Sequence, residues 1–296
     1  MTPFLQLRRG VIDLKGKSAA IWFLLLPTII YLSVFIGYPL FKTFVMAMSG
    51  EERPFDTFYR MFHDQTFWNA LKNTLFLTAV IVPIQLVLAI ALALFINKKF
   101  RGYTFLLYLI IIPLALSDIT AALMSYTMFS PMGYVNKILI NLGAINKPIY
   151  FFGYMFKTRE FWIVVLTEIW RATPLVFVII LAGLQSINKE YLEAADIFGF
   201  SRSQKLFKVV LPLLKPSIMS ALLMRTLFAF QIFGVVWMLA GRDIPVLAGE
   251  TYYQYTFLND EKMAAAYSMI IAVITLIISY FYLTTLRSKH LEEGVR

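Results

Sequence analysis

Cysteine is absent from this 296-residue chain, and histidine is limited to His63 and His290. The first absence removes disulfides, thiolate metal sites and cysteine nucleophiles together. The second leaves nothing from which a His-rich zinc site could be built. Charge is scarce as well. Charged residues are 15% of the chain and apolar ones 59%, whereas a soluble globular domain has about a quarter of its residues charged. An ordinary soluble domain is thereby excluded. A phosphate-cradling loop is also missing. Gly16-Lys17-Ser18 imitates the end of one, but Gly10 stands one residue too far ahead and no strand precedes it. Neither His-Glu-x-x-His nor Gly-x-Ser-x-Gly occurs, and Asp118 has no paired motif, so an intramembrane enzyme finds little support.

What is present is a series of long apolar runs. Ala19 to about Met46, bent by Pro27 and Pro39, is too long for a signal-peptide core and reads as a retained first span. Asn69–Ile96 is the second, closed by the basic turn Asn97–Gly102. Thr104 to about Tyr126 is the third, interrupted by Pro113 and Asp118. Phe161–Leu184, Pro216–Ala240 and Met263–Leu286 are the fourth, fifth and sixth. The expected fold class is all-α, a polytopic membrane protein with six transmembrane helices.

Six spans place the loops 49–68, 130–160 and 241–262 on one side. The other side takes residues 1–18, the 97–102 turn, the 185–215 loop and the 287–296 tail. The second group carries fifteen Lys and Arg, the first eight. Basic short loops favour the cytoplasm, so both termini are expected there. The 130–160 loop, rich in aromatic residues at Tyr150–Phe156, suits the bilayer surface. The net charge of +10 is spread over separate loops rather than one stripe. That pattern points to membrane lipid and away from nucleic acid.

Of the charged residues within or at the edge of spans, four bear weighing: Asp118, Glu168, Arg171 and Arg225. A charge near the centre of a span costs about 2.5–3.5 kcal/mol on insertion scales, so each is expected to face protein or water. Glu168 and Arg171, three apart, share a helical face and can neutralise each other. Arg225 is expected near enough to the cytoplasmic surface to snorkel.

The longest polar segment enclosed by apolar ones runs from Asn188 to Pro212. Asn188 is suited to cap a helix, and Gly199 to end it in the left-handed conformation. Tyr191, Leu192, Ala195 and Phe198 are expected to share one face, with Glu190, Glu193 and Asp196 at the polar positions. Ser201-Arg202-Ser203-Gln204 reads as a capping box opening a second short helix, stopped near Pro212. Within this segment Glu193-Ala194-Ala195 is followed after three residues by Gly199. Nine further residues lead to Val209, and one more to Leu211-Pro212. This spacing resembles the coupling-loop signature of prokaryotic ABC importer permeases. Val209 replaces the usual Ile, and Phe198 the Asp frequent in sugar importers. Gly37-Tyr38-Pro39-Leu40 is similar to the family's usual first-span ending. The likeness extends over nearly the whole chain and is nearest to the maltose-type subfamily, which carries oligosaccharides and related polyols.

The resemblance implies a cytoplasmic N-terminal segment 1–18 and a transmembrane domain 19–286 with its coupling loop at 185–215. A cytoplasmic tail 287–296 would follow, all in the inner membrane of a prokaryote. It assigns coupling to Glu193, Ala194, Ala195, Gly199, Leu211 and Pro212. Matching the maltose-type pattern around Trp170 and Pro174, and along Phe228–Gln231, it places substrate contacts at Glu168, Arg171, Ala172, Leu175, Phe230, Gln231 and Gly234. Phe230 would stack on a sugar ring, Gln231 would hydrogen-bond hydroxyls, and Gly234 would leave room. It implies no cofactor on this chain. ATP and Mg would sit on two ATPase subunits, beside a second related permease and an external solute-binding protein. The competing reading is a secondary transporter driven by an ion gradient, with Asp118 and Glu168 as its proton or sodium groups.

Overall fold

The computed structural model describes residues 14–50 and 54–285. The expected basic N-terminal stretch up to residue 13, Glu51–Arg53 and the 287–296 tail lie outside the described residues. No strand occurs among the described residues, and the chain is helical nearly throughout. Five helical stretches are long and apolar enough to cross a bilayer, or six if one bent pair is counted as a span.

The first stretch comprises α1 (Leu14–Leu32), a π turn at Ser33–Gly37 and α2 (Tyr38–Met48). A short α3 (Asp56–His63) leads into α4 (Gln65–Ile96), which Asp64 caps by accepting from Thr66 N–H at 2.8 Å. The third span is broken. Helix α5 (Tyr103–Ile111) tightens into a 3-10 turn carrying Pro113, Leu116 is extended, and Ser117 caps α6 (Asp118–Phe129). The two halves meet at 104°. The aromatic loop holds α7 (Tyr134–Asn141), and buried Asn136 fastens it by accepting from Ile149 N–H at 2.8 Å and donating to Ile149 O at 2.9 Å.

Helix α8 (Lys157–Gln185) is followed by the short α9 (Lys189–Ile197) and α10 (Arg202–Lys205). A π turn at Leu206–Val210 joins α10 to α11 (Leu211–Phe230). Here the structure corrects the expected stop near Pro212. The helix runs on without interruption, because Leu211 N–H bonds five residues back to Leu206 O and so shifts the register just before the proline. The carbonyl that a proline ring would strike is thereby displaced. Tyr38 N–H reaches back to Ser33 O in the same way, immediately before Pro39.

The fifth span is corrected as well. Instead of continuing to Ala240, α11 ends at Phe230, residues 231–233 leave the helix, and α12 (Gly234–Ala240) begins anew. The loop helix α13 (Leu247–Thr256) and the last span α14 (Glu261–Thr285) complete the described chain.

Three apolar clusters hold the helices together. One joins α4, α6, α8 and α12, and a second joins the far halves of α4 and α8 to α11. The third packs α2, α3 and α13 on α4 and α14. At Gly183 a Cβ would lie 2.0 Å from Ser217 Oγ, so only glycine lets α8 and α11 approach this closely. The outward surface carries large apolar side chains such as Phe35, Phe105 and Leu276, as a lipid-facing surface must.

Candidate functional site

Two constructions stand out, one inside the bundle and one at its end. Inside, Glu168 of α8 lies at the centre of a chain of charges. Its side chain is 1% exposed and its Oε1 accepts from Arg225 at 2.8 Å and from Arg171 at 2.9 Å. Arg171 Nε reaches Glu168 Oε2 at 3.2 Å, and Arg171 Nη1 reaches Asp118 Oδ1 at 2.9 Å. Arg225 Nε donates to Gln85 Oε1, and Gln85 Nε2 donates to the carbonyl of Glu168 at 2.8 Å. Four spans are thus tied by two carboxylates, two guanidinium groups and one amide, with no net charge. Burying charge in hydrocarbon is costly unless each group is paired, and here every charge has an opposite partner.

The expected Glu168–Arg171 pair is present. Arg225 does not snorkel: its side chain is 2% exposed, and Glu168 and Gln85 hold it in the interior. Asp118, expected to stand alone, is paired with Arg171. Its side chain is 44% exposed, which makes it the most accessible member of the network. Asp118 also marks where two helix breaks meet. It begins α6, and a Cβ added at Gly234, the first residue of α12, would lie 2.6 Å from its Cβ. Gly234 therefore serves close approach of Asp118, and the site is built where two spans lose their helical hydrogen bonds.

The other expected contact residues are divided. Gln231 is exposed, at the break that follows Phe230. Ala172 is buried and Leu175 half-buried on the α8 face beside Glu168. Phe230 is buried, so its ring packs inside the bundle and offers no open stacking face. Sequence reasoning missed Gln85. Its one sequence signal is an amide in an apolar run, two residues after Pro83. Among the described residues no three His, Asp or Glu side chains converge as metal ligands would.

At the end of the bundle, α9 and α10 form two short helices across a glycine bend. Asn188 caps α9 by accepting from Glu190 N–H at 3.2 Å. Gly199 has φ +69°, Phe200 N–H bonds to Ala195 O at 3.0 Å and Gly199 N–H to Asp196 O at 2.9 Å, a Schellman ending. The capping box is formed, with Ser201 N–H donating to Gln204 Oε1 at 2.8 Å and Gln204 N–H to Ser201 Oγ at 3.3 Å. Lys205 pairs with Asp196 across the bend. One expectation fails. Leu192 and Ala195 do face the bundle, but Tyr191 and Phe198 point away from it, since α9 touches its neighbours along one narrow side only. Ile197 at 86% and Phe198 at 78% exposure stand beside exposed Glu193, Ala194 and Gly199. Leu211 is half-buried and Pro212 exposed where the bend rejoins the span.

The opposite end is fixed by a second ion pair. Arg242 Nε and Nη2 both donate to the buried Glu250 carboxylate at 3.1 Å, and the guanidinium lies 3.8 Å over the Tyr253 ring. Burial pushes the Glu250 carboxyl above the usual carboxylate range, and Arg242 pulls it part of the way back.

Comparison with known proteins bears on the family and the fold. The family described as "Binding-protein-dependent transport system inner membrane component" matches residues 85–292. The sulfoquinovosyl glycerol transport system permease protein SmoG of Agrobacterium fabrum is 30% identical, over 94% of this chain and 93% of its own length. The trehalose/maltose transport system permease protein MalF of Thermococcus litoralis is 29% identical over 91% of this chain and 95% of its own. Among solved structures, a chain of a bacterial ABC transporter importing the acidic polysaccharide alginate superposes with TM-score 0.82. It is 25% identical, covering 92% of this chain and 96% of that one.

Proposed function

The chain belongs to the family of binding-protein-dependent transport system inner membrane components, and on that premise we propose how this permease works and what it carries. It is a multi-pass permease subunit of an ABC importer. The proposed cargo is a sugar, an oligosaccharide or a related polyol, a reading supported by the names of its relatives. The path runs past the paired breaks at residues 116–118 and 231–234. Gln231 and the open edge of Asp118 and Arg171 supply hydrogen bonds to hydroxyls there, and Ala172, Leu175 and Gly234 shape the wall. Discontinuous spans are where transporters build such sites, because unwound backbone can line a cavity.

The observation that carries the coupling reading is α9. A capped helix that exposes Tyr191, Ile197 and Phe198, with a Glu193 that has no ion-pair partner among the described residues, has apolar surface that needs a partner. That partner is one of two ATPase subunits, which hold the ATP and Mg. Ala194 and Ala195 keep the helix slim, Gly199 sets its angle, and Leu211-Pro212 passes movement into α11. A second, related permease completes the path, and a solute-binding protein delivers cargo to the loops opposite α9. Both termini then lie in the cytoplasm. The competing ion-gradient mechanism is disfavoured because Asp118 and Glu168, the carriers it would use, are both committed to arginines.

The test uses two changes remote from the network. Gly199→Val places a β-branched residue at φ +69°, which costs about 1–3 kcal/mol of local strain although no atom lies within 4 Å of the new Cβ. Glu193→Lys reverses an exposed charge that has no ion-pair partner among the described residues. In the purified complex both should uncouple ATP hydrolysis from cargo and lower uptake in parallel. Full cargo-stimulated hydrolysis and uptake in Glu193→Lys, with the ATPases still co-purifying at wild-type yield, would overturn the coupling role of α9.

A further inference from the structure

The end of the bundle opposite α9 holds a pocket of about 770 Å³ between the first turns of α4, the first turns of α8 and the chain after α12. That volume lies within the roughly 300–1,000 Å³ usual for small-ligand sites. Its cations are Lys72, Lys157 and Arg242, against the single carboxylate Asp243. Arg242 is engaged by Glu250. Among the described residues neither lysine has a carboxylate within 4.0 Å. Lys157 is also the first residue of α8, the helix end at which the backbone dipole disfavours a cation. Lys157 Nζ lies 4.2 Å over the Tyr154 ring, a contact that leaves its charge in place, and two ammonium groups without a carboxylate partner at one pocket call for an anion.

Its height and direction identify the kind of anion. No charged residue lies between Lys72 and Lys98, so Lys72 marks where α4 leaves the hydrocarbon. Below it the wall is Phe76, stacked on Phe161 at 5.2 Å, and Trp162, the residue type enriched at the membrane–water interface. Phe76 stands nine residues before Gln85, and Trp162 nine before Arg171. At 100° per residue that separation is half a turn, so both rings lie on the side of their helix away from the ion-pair network. They are 56% and 52% exposed. The exposed rings give the pocket an apolar edge on the outside of the bundle, below its cations.

We propose that this pocket seats the anionic head group of a phospholipid in the leaflet opposite α9. Lys72 and Lys157 take the phosphate, Asn69 and Thr158 the polar part of the head group, and Phe76 and Trp162 the first methylenes of an acyl chain. A soluble oxyanion would satisfy the same lysines but would leave uncovered the exposed parts of both rings, each of which packs against Phe161 on its inner side.

The permease complex, stripped of lipid and reconstituted in phosphatidylcholine nanodiscs with increasing phosphatidylglycerol, is examined by native mass spectrometry. Wild type should retain phosphatidylglycerol, and Lys72→Gln/Lys157→Gln should retain it roughly thirtyfold less well, at about 1 kcal/mol per basic residue near a bilayer surface. The charge-preserving Lys72→Arg/Lys157→Arg should behave as wild type, which separates lost charge from lost fold. Equal retention by wild type and the Gln variant overturns the proposal. So does protection by inorganic phosphate in detergent that vanishes in the Gln variant while phosphatidylglycerol binds neither. A cysteine at position 72 that labels in the isolated chain but not in the assembled complex without lipid gives the pocket to a partner subunit, and likewise overturns it.

Discussion

Glu168 offers the sharpest test of the intramembrane network. Replacing it with Gln preserves shape and removes the one charge that Arg225 depends on. Arg171 would keep Asp118, but Arg225, 2% exposed, would keep only the neutral Gln85. Breaking a buried pair by removing one partner costs about 3–5 kcal/mol, because the remaining charge stays buried and uncompensated. Asp118→Asn provides the contrast. It removes the most exposed carboxylate of the network, at 44%, and exposed pairs are worth about 0–1 kcal/mol. The double change Glu168→Gln/Arg225→Leu removes the stranded charge and should recover most of the loss. The chain lacks cysteine, so Ala121→Cys, at a fully buried position, reports unfolding with a thiol-reactive dye. The melting midpoint of Glu168→Gln should fall by roughly 6–20 °C, at about 2–4 °C per kcal/mol for large chains. Asp118→Asn should move it little. Equal shifts for the two single variants, or no recovery in the double, would refute the claim that Glu168 compensates Arg225.

Gln231→Ala should lower uptake several-fold without changing the amount of permease in the membrane, since one polar contact is worth about 0.5–1.5 kcal/mol. Phe230→Ala should behave oppositely, because emptying a buried Phe site costs about 3–5 kcal/mol, and immunoblots of membranes should show reduced abundance first. For topology, cysteine at the exposed Tyr255 should react with an impermeant reagent in intact cells and cysteine at exposed Ser203 only after lysis. The reverse pattern would invert the proposed orientation.

Much of the site's local architecture was legible because local signals encode it. Asn188, Gly199 and the Ser201–Gln204 box each act within a few residues, and each bond forms as its residue type requires. The Glu168–Arg171 pair was legible for the same reason, being a spacing of three along one helix. The remaining links of the network cross between spans: Arg225 meets Gln85, far away in sequence, and no spacing rule reaches that distance. The passage of α11 through Pro212 was hidden because a π turn has no side-chain signature. The break at 231–233 was hidden too. Only Gly234 marks it, and the reason for that glycine is Asp118 on another helix.

The repaired helix has a mechanical consequence. From Arg202 to Phe230 the chain forms one 29-residue rod, about 43 Å long at 1.5 Å per residue. One end lies beside the glycine bend, the other abuts the break before Gln231. A bar of that length pivoting as a unit by 10° about one end sweeps the other through about 7.5 Å, more than the pitch of a helical turn. The register shift ahead of Pro212 thus does more than accommodate an awkward residue. It keeps the helix continuous past Pro212 and Pro216, so that a displacement beside the glycine bend is carried to Phe230, where the gap at 231–233 begins.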